Sequence, residues 1–228
     1  YNIGFDFNND GTKMFMIGAS SDQMHEWTLS TAWDLSTASY VDGTSLASQD
    51  GNMNGFSFNP GGTKMLISGW SNDRIYSYTL STAFDASTLS YDNSYLSVSS
   101  QDSNPVGLFV TPAGKCMFMV GYSGRKVYEY KMTTAWDIST ASFVDDISIS
   151  NYASAPIGIT FNGDGTKMYI TGQTQDSVDE FNLSTGYQVT DDSECADAAD
   201  TAAPTLSSST PADNATSIAL DANVVLNF

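Results

Sequence analysis

The stretch Gly55–Asp85, GFSFNPGGTKMLISGWSNDRIYSYTLSTAFD, decides the fold, because most of it returns three more times. GFDFNNDGTKMFMIG begins at Gly4, GLFVTPAGKCMFMVG at Gly107 and GITFNGDGTKMYITG at Gly158, at offsets of 51, 52 and 51 residues. A period this regular marks one supersecondary unit copied and stacked, so the fold follows from the unit.

Each unit opens with a glycine and a short alternating run, as in Gly55-Phe56-Ser57-Phe58. Period-two alternation predicts a strand with one buried face. The leading glycine suits close backbone approach around an axis. Asn9-Asp10-Gly11, Pro60-Gly61-Gly62, Pro112-Ala113-Gly114 and Gly163-Asp164-Gly165 then predict tight hairpin turns. A second strand follows (Met65-Leu66-Ile67 in the second unit), and a polar loop leads to a third. In that third strand Met24, Ile75, Val127 and Val178 share a face with Glu26, Ser77, Glu129 and Glu180. Trp27, Tyr78, Tyr130 and Phe181 fall on the other face.

A second module recurs as LSTAWDLSTASYVD from Leu29, LSTAFDASTLSYDN from Leu80 and MTTAWDISTASFVD from Met132. It reads as a compact turn whose ring (Trp33, Phe84 or Trp136) plugs a gap, followed by an outer strand through Tyr40, Tyr91 or Phe143. Four short antiparallel strands per repeat of about 50 residues is the pattern of a β-propeller blade. The prediction is an all-β chain with four visible four-stranded blades. The Trp-Asp pairs at Trp33 and Trp136 are turn residues here, without the Gly-His partner of WD repeats.

These segments resemble bacterial propeller repeats of the YVTN/lactonase-like kind. The pairing of DGTKM with LSTAWD-ST resembles repeats of secreted or surface proteins of aquatic bacteria and their viruses. The resemblance covers roughly residues 1–187. It implies a propeller, and it leaves the activity open. Lactonases of this kind commonly use metal or His ligands at the axis, and this chain offers His25 alone.

Repeat four departs after Ser184, where its outer-strand module is shortened or missing. The expected organisation is a propeller over 1–190, an acidic linker over 191–204, and the start of a bacterial Ig-like β-sandwich over 205–228. Those last residues are under a third of a sandwich of ~100 residues, so the chain is expected to continue or to be completed by a partner. Four blades closing a ring, an excerpt of a larger ring and an intermolecular array all remain open.

The chain of 228 residues carries 26 acidic against 8 basic residues, a net charge of -18. Only Glu26, Glu129, Glu180 and Glu194 are Glu; the other acids are Asp, most of them explained as turn caps. So negative a field argues against nucleic acid and anionic membranes. No apolar run approaches the ~18 residues of a membrane span.

Candidate chemistry is sparse. Asp22, Asp73 and Asp176 recur in loops, and with Asp10 and Asp164 they form a pattern able to hold Ca²⁺ through carboxylates and carbonyls; turn chemistry is the competing reading, and no segment has the D-x-[DN]-x-[DN]-G spacing of a calcium loop. No cofactor is otherwise expected. His25 occurs in one repeat only and reads as a solvent-facing strand residue. No nucleophile turn of the G-x-S-x-G kind accompanies it. Glu26, Glu129 and Glu180 repeat at equivalent places, which points to architecture, since catalysis breaks symmetry. Trp70 and Tyr122, in loops after the second strand, are the candidate ligand-binding rings, suited to stacking on sugars. Cys116 stands where Lys13, Lys64 and Lys167 stand and is expected outside the core; a Cys116–Cys195 disulfide is the pairing to test.

The leading expectation is a non-enzymatic extracellular or cell-surface component, structural or adhesive, using the propeller as a rigid binding or spacing unit. Its partners would be other copies, in a homo-oligomer or filament, or surface glycans. A carbohydrate-binding propeller and a lactonase-like hydrolase are the alternatives.

Overall fold

The computed structural model describes residues 2–18, 22–174, 177–184, 186–189 and 205–210. It is a four-bladed β-propeller of four antiparallel sheets, with no α-helix among the described residues. Blade 1 holds β1 (Asn2–Phe7), β2 (Lys13–Gly18), β3 (Gln23–Leu29) and β4 (Ala38–Ser45). Blade 2 holds β5 (Met53–Phe58), β6 (Lys64–Gly69), β7 (Arg74–Leu80) and β8 (Leu89–Ser97). Blade 3 holds β9 (Pro105–Val110), β10 (Cys116–Gly121), β11 (Lys126–Met132) and β12 (Ala141–Ser148). Blade 4 holds β13 (Pro156–Phe161), β14 (Lys167–Gly172), β15 (Ser177–Asn182) and β16 (Thr205–Thr210). In every sheet the strands pair in chain order.

The innermost strands touch through their glycines. A Cβ on Gly55 would lie 2.4 Å from the Val106 carbonyl oxygen, so only glycine allows β5 and β9 to meet.

The core sits between blades. Phe15, Ile17 and Met24 of blade 1 pack against Met65, Ile67 and Tyr78 of blade 2. Leu66 and Ile75, on the reverse face of blade 2, pack against Met117, Tyr130 and Ile138 of blade 3. Phe118 and Val127 pack against Met168, Phe181 and Val189 of blade 4. The alternation read from the third strands is therefore correct: Ile75 faces forward and Tyr78 faces back.

The aromatic plug is confirmed and made specific. Trp33, Phe84, Trp136 and Tyr187 all adopt positive φ, between 52 and 64°. Each donates its N–H to the carbonyl of the hairpin glycine in its own blade, for example Trp136 to Gly114 at 2.9 Å. The ring then lies on that glycine; a Cβ on Gly114 would be 2.0 Å from the Trp136 ring. After each plug in blades 1 to 3, Asp34, Asp85 or Asp137 caps a short 3₁₀ turn by accepting from the N–H two residues on.

Three expectations need correction. Blade 4 does not lack the end of its repeat. Tyr187 takes the plug position, and β16 supplies the outer strand, pairing with β15 from Val178–Thr210 to Asn182–Thr205. That strand belongs to the segment expected to open an Ig-like domain; in the propeller it completes a sheet, and 211–228 lie outside the described residues. Third, Cys116 is not peripheral. It is 3% exposed within the blade 3–blade 4 core: in register with Lys13 it faces the next blade, and its short side chain stays in the seam where the lysine reaches outward to Glu26.

Candidate functional site

The four innermost strands surround an axial cavity of about 550 Å³ that opens on the hairpin-turn side. Phe5, Asp6 and Phe7 of β1 line it with Phe58 and Asn59 of blade 2, Phe109 of β9 and Thr160 of β13. Alternation in β1 puts Phe5 and Phe7 side by side, edge to face at 6.4 Å, and Phe7 leans on Trp33 at 5.1 Å. Phe5 is 69% exposed, the most open large apolar side chain among the described residues. Asn9 ties the rim together by donating Nδ2 to the Pro60 carbonyl at 2.6 Å.

Asp6 is the carboxylate of this cavity. Its Oδ1 accepts the Phe7 N–H at 2.8 Å. Crowding by the surrounding blades withdraws water and pushes its pKa up to about 6, against the pull of that N–H. The group sits deep among protein atoms, yet its surface opens onto cavity water.

The residues singled out from sequence lie elsewhere. Trp70 and Tyr122 are on the opposite, loop side, half-buried on the blade 3–blade 4 core with ring centroids 5.3 Å apart. They are engaged with one another. Asp22 and Asp73 hold positive φ (49 and 51°) in tight turns, and Arg125 occupies the same position in blade 3 with φ 51°. An arginine in that place shows that the backbone turn, not the carboxylate, is what repeats. Burial raises the Asp22 and Asp73 carboxyls, with a further push from Asp50 at Asp22 and from Asp102 and Asp50 at Asp73. Asp176 lies outside the described residues. Among the described residues, no three His, Cys, Asp or Glu side chains gather in a metal-holding group.

Asp10 and Asp164 are Asx-turn residues. Each accepts from a threonine N–H and hydroxyl two residues on (Thr12, Thr166), and these bonds hold both carboxyls below the usual range. His25 is half-buried in β3, with Nδ1 3.3 Å from the Tyr40 hydroxyl. Glu26 is 2% exposed at the blade 1–blade 2 seam, salt-bridged to Lys13 at 2.6 Å. In blade 2 Ser77 stands in its place, and the job passes to Asp92 on β8, which accepts from Lys64, Ser77 and Thr79. Burial opposes ionisation of Asp92, but those three donors outweigh it and its pKa is lowered. Cys116 is disulfide-bonded; Cys195, the chain's other cysteine, lies outside the described residues.

Sequence reading missed Asp50 and Asp102. Both are buried, and they accept N–H groups from loops of their own blades: Asn52, Ser71 and Asn72 for Asp50, Asn104 and Gly124 for Asp102. The signal was an Asp two residues before an Asn, repeated in D-G-N and D-S-N.

No protein-family model matches the chain, and no curated protein matches it. Solved structures do. One is a Bacteroides uniformis protein provisionally named a 6-phosphogluconolactonase (10% identity, TM-score 0.56, 80% of this chain and 50% of that one). Another is the periplasmic gluconolactonase of Pseudomonas aeruginosa (13%, TM-score 0.51, 78% and 48%). A third is a chain of a nidogen–laminin complex (12%, TM-score 0.53, 79% and 60%). These likenesses establish the fold alone. The chain spans about half the length of the solved chains it matches.

Proposed function

We propose that the protein is a non-enzymatic recognition module that takes a carbohydrate at the mouth of its axis. One observation carries this reading: an open aromatic platform, Phe5 beside Phe7, stands next to Asp6, Asn9 and Asn59 in a cavity of about 550 Å³. A sugar offers an apolar ring face and hydroxyl edges, and this lining matches both. The expected ring pair, Trp70 and Tyr122, is less suited because the two rings are packed together. A setting outside the cell or on its surface belongs to the same proposal, supported by the net charge of -18 and the disulfide at Cys116. Glycan-array binding followed by calorimetry tests the reading. Phe5→Ala should weaken a bound glycan at least about tenfold, the loss of one stacked ring, and Trp70→Ala should not. The reverse pattern overturns it.

A second reading has its own support. Asp6, raised to about 6, would act as a general base toward a water attacking a lactone carbonyl, being carboxylate above that pH. The names of two similar structures point the same way. Ring opening of gluconolactone that rises with pH through about 6 and is lost in Asp6→Asn would favour hydrolysis over simple binding.

A further inference from the structure

The axial cavity carries one charge and several rings. Phe5 and Phe7 of β1, Phe58 of β5, Phe84 of the blade 2 plug turn and Phe109 of β9 all line it, so aromatic surface comes from three blades. Phe5 is exposed and the other four are half-buried, so each keeps some surface open. The rings meet edge to face: Phe5 and Phe7 at 88° between planes, Phe58 and Phe84 at 62° with centroids 5.6 Å apart. In such pairs the electron-poor edge of one ring points at the electron-rich face of the other. Ring faces of this kind attract a cation held within about 6 Å of their centres.

Asp6 supplies the charge. Among the described residues, β5, β9 and β13 contribute no Lys, Arg, His or second carboxylate to the lining. Lys13 reaches the Phe84 carbonyl at 2.7 Å, but its Nζ also lies 2.6 Å from Glu26, so its charge is already answered. Asp6 itself accepts the Phe7 N–H, a neutral donor. A neutral ligand settling here would strip water from this carboxylate and give no charge in return. An anionic ligand would add repulsion. A ligand with a positively charged nitrogen answers the carboxylate and the ring faces together. The upward shift of the Asp6 pKa, to about 6, reflects water that the blades have already withdrawn from it. The net charge of -18 draws cations toward the protein as a whole.

We propose that the ligand of the axial cavity is a cationic amino-sugar oligomer, stacked on Phe5 and bringing a charged nitrogen to the Asp6 carboxylate and the rings around it. This inference rests on the carbohydrate reading above and narrows it to one class. Alternation turns Phe5 and Phe7 to one side of β1 and Asp6 to the other, yet all three border the same cavity. A ligand that meets both Phe5 and Asp6 therefore extends across the strand, which suits an oligomer better than a single sugar ring. Sugars bearing carboxylate or phosphate groups are disfavoured by the same lining, because it offers them no counter-charge.

Calorimetry of the whole chain at neutral pH, with oligosaccharides of equal length, tests it. The probes are an N-acetylglucosamine oligomer, neutral; an N-trimethylated glucosamine oligomer, permanently positive; and a uronic acid oligomer, negative. The trimethylated oligomer should bind about tenfold or more tighter than the acetylated one, the gain of one charge-assisted contact, and the uronate should not bind. Asp6→Asn, nearly isosteric at an exposed strand position, should lower the charged oligomer's affinity to that of the neutral one, with an unchanged circular dichroism spectrum. In the wild type the gap should narrow as pH falls through about 6, because Asp6 takes up a proton while the trimethylated nitrogen keeps its charge. Equal affinity for the charged and neutral oligomers, or a gap that survives Asp6→Asn, overturns this inference and leaves the carbohydrate reading standing. Binding of neither oligomer overturns it as well, and the glycan array then decides the wider reading alone.

Discussion

Two buried tyrosines show how position decides a residue's worth. Tyr76 donates its hydroxyl to the Gln49 carbonyl at 2.9 Å and accepts from Asn72 Nδ2 at 3.3 Å. Tyr130, 1% exposed, buries a hydroxyl with no hydrogen-bond partner among the described residues. Removing a satisfied hydroxyl leaves its partners wanting, at a cost of about 1 kcal/mol, whereas removing an unsatisfied one is near neutral or stabilising. Tyr76→Phe is thus expected to lower the unfolding midpoint in urea, and Tyr130→Phe to leave it level or raise it. Equal losses in both would contradict the hydrogen-bond assignment. At this scale the sequence was partly legible. The plug rings Trp33, Phe84 and Trp136 announced themselves by repetition, but Tyr187 did not, because Gly186 and Gln188 replace the Ala and Asp that flank the others. Cys116 was misplaced because the lysines at its position suggested a surface place, whereas that position faces the neighbouring blade: a long lysine leaves the seam at its tip, and a short cysteine stays within it.

The hairpin turn with its plug is the element that repeats most faithfully. Gly114 has φ +70° and carries the Trp136 ring, so Gly114→Ala meets both a left-handed backbone and a steric overlap. A loss of about 2 kcal/mol or more is expected in thermal or denaturant unfolding. Gly163 has open space where its Cβ would be, and Gly163→Ala should cost under about 1 kcal/mol. Comparable losses would mean that the ring does not rest on the glycine. The strands and turns of blades 1 to 3 were legible because alternation and Asn-Asp-Gly or Gly-Gly turns are local signals. The fourth strand of blade 4 was not. Thr205–Thr210 reads TLSSST, small and polar, and joins β15 from beyond a long insertion, so nothing local announces the pairing.

At the scale of the molecule, the period alone dictated stacking, because a sheet apolar on both faces must be covered on both. Leu66 and Met65, neighbours in β6, face opposite seams and are both fully buried. The axial site was not legible. Phe5, Asp6 and Phe7 look like any alternating strand until four inner strands are arranged about one axis. The central claim is that blades exist by leaning on one another. Hydrogen exchange of β6 and β10 in the wild type and in Ile138→Glu tests it most directly, since Ile138 belongs to blade 3 but packs on Leu66 and Ile75 of blade 2. The account predicts that the substitution speeds exchange in both strands together. Acceleration confined to blade 3, with β6 unchanged, would contradict it.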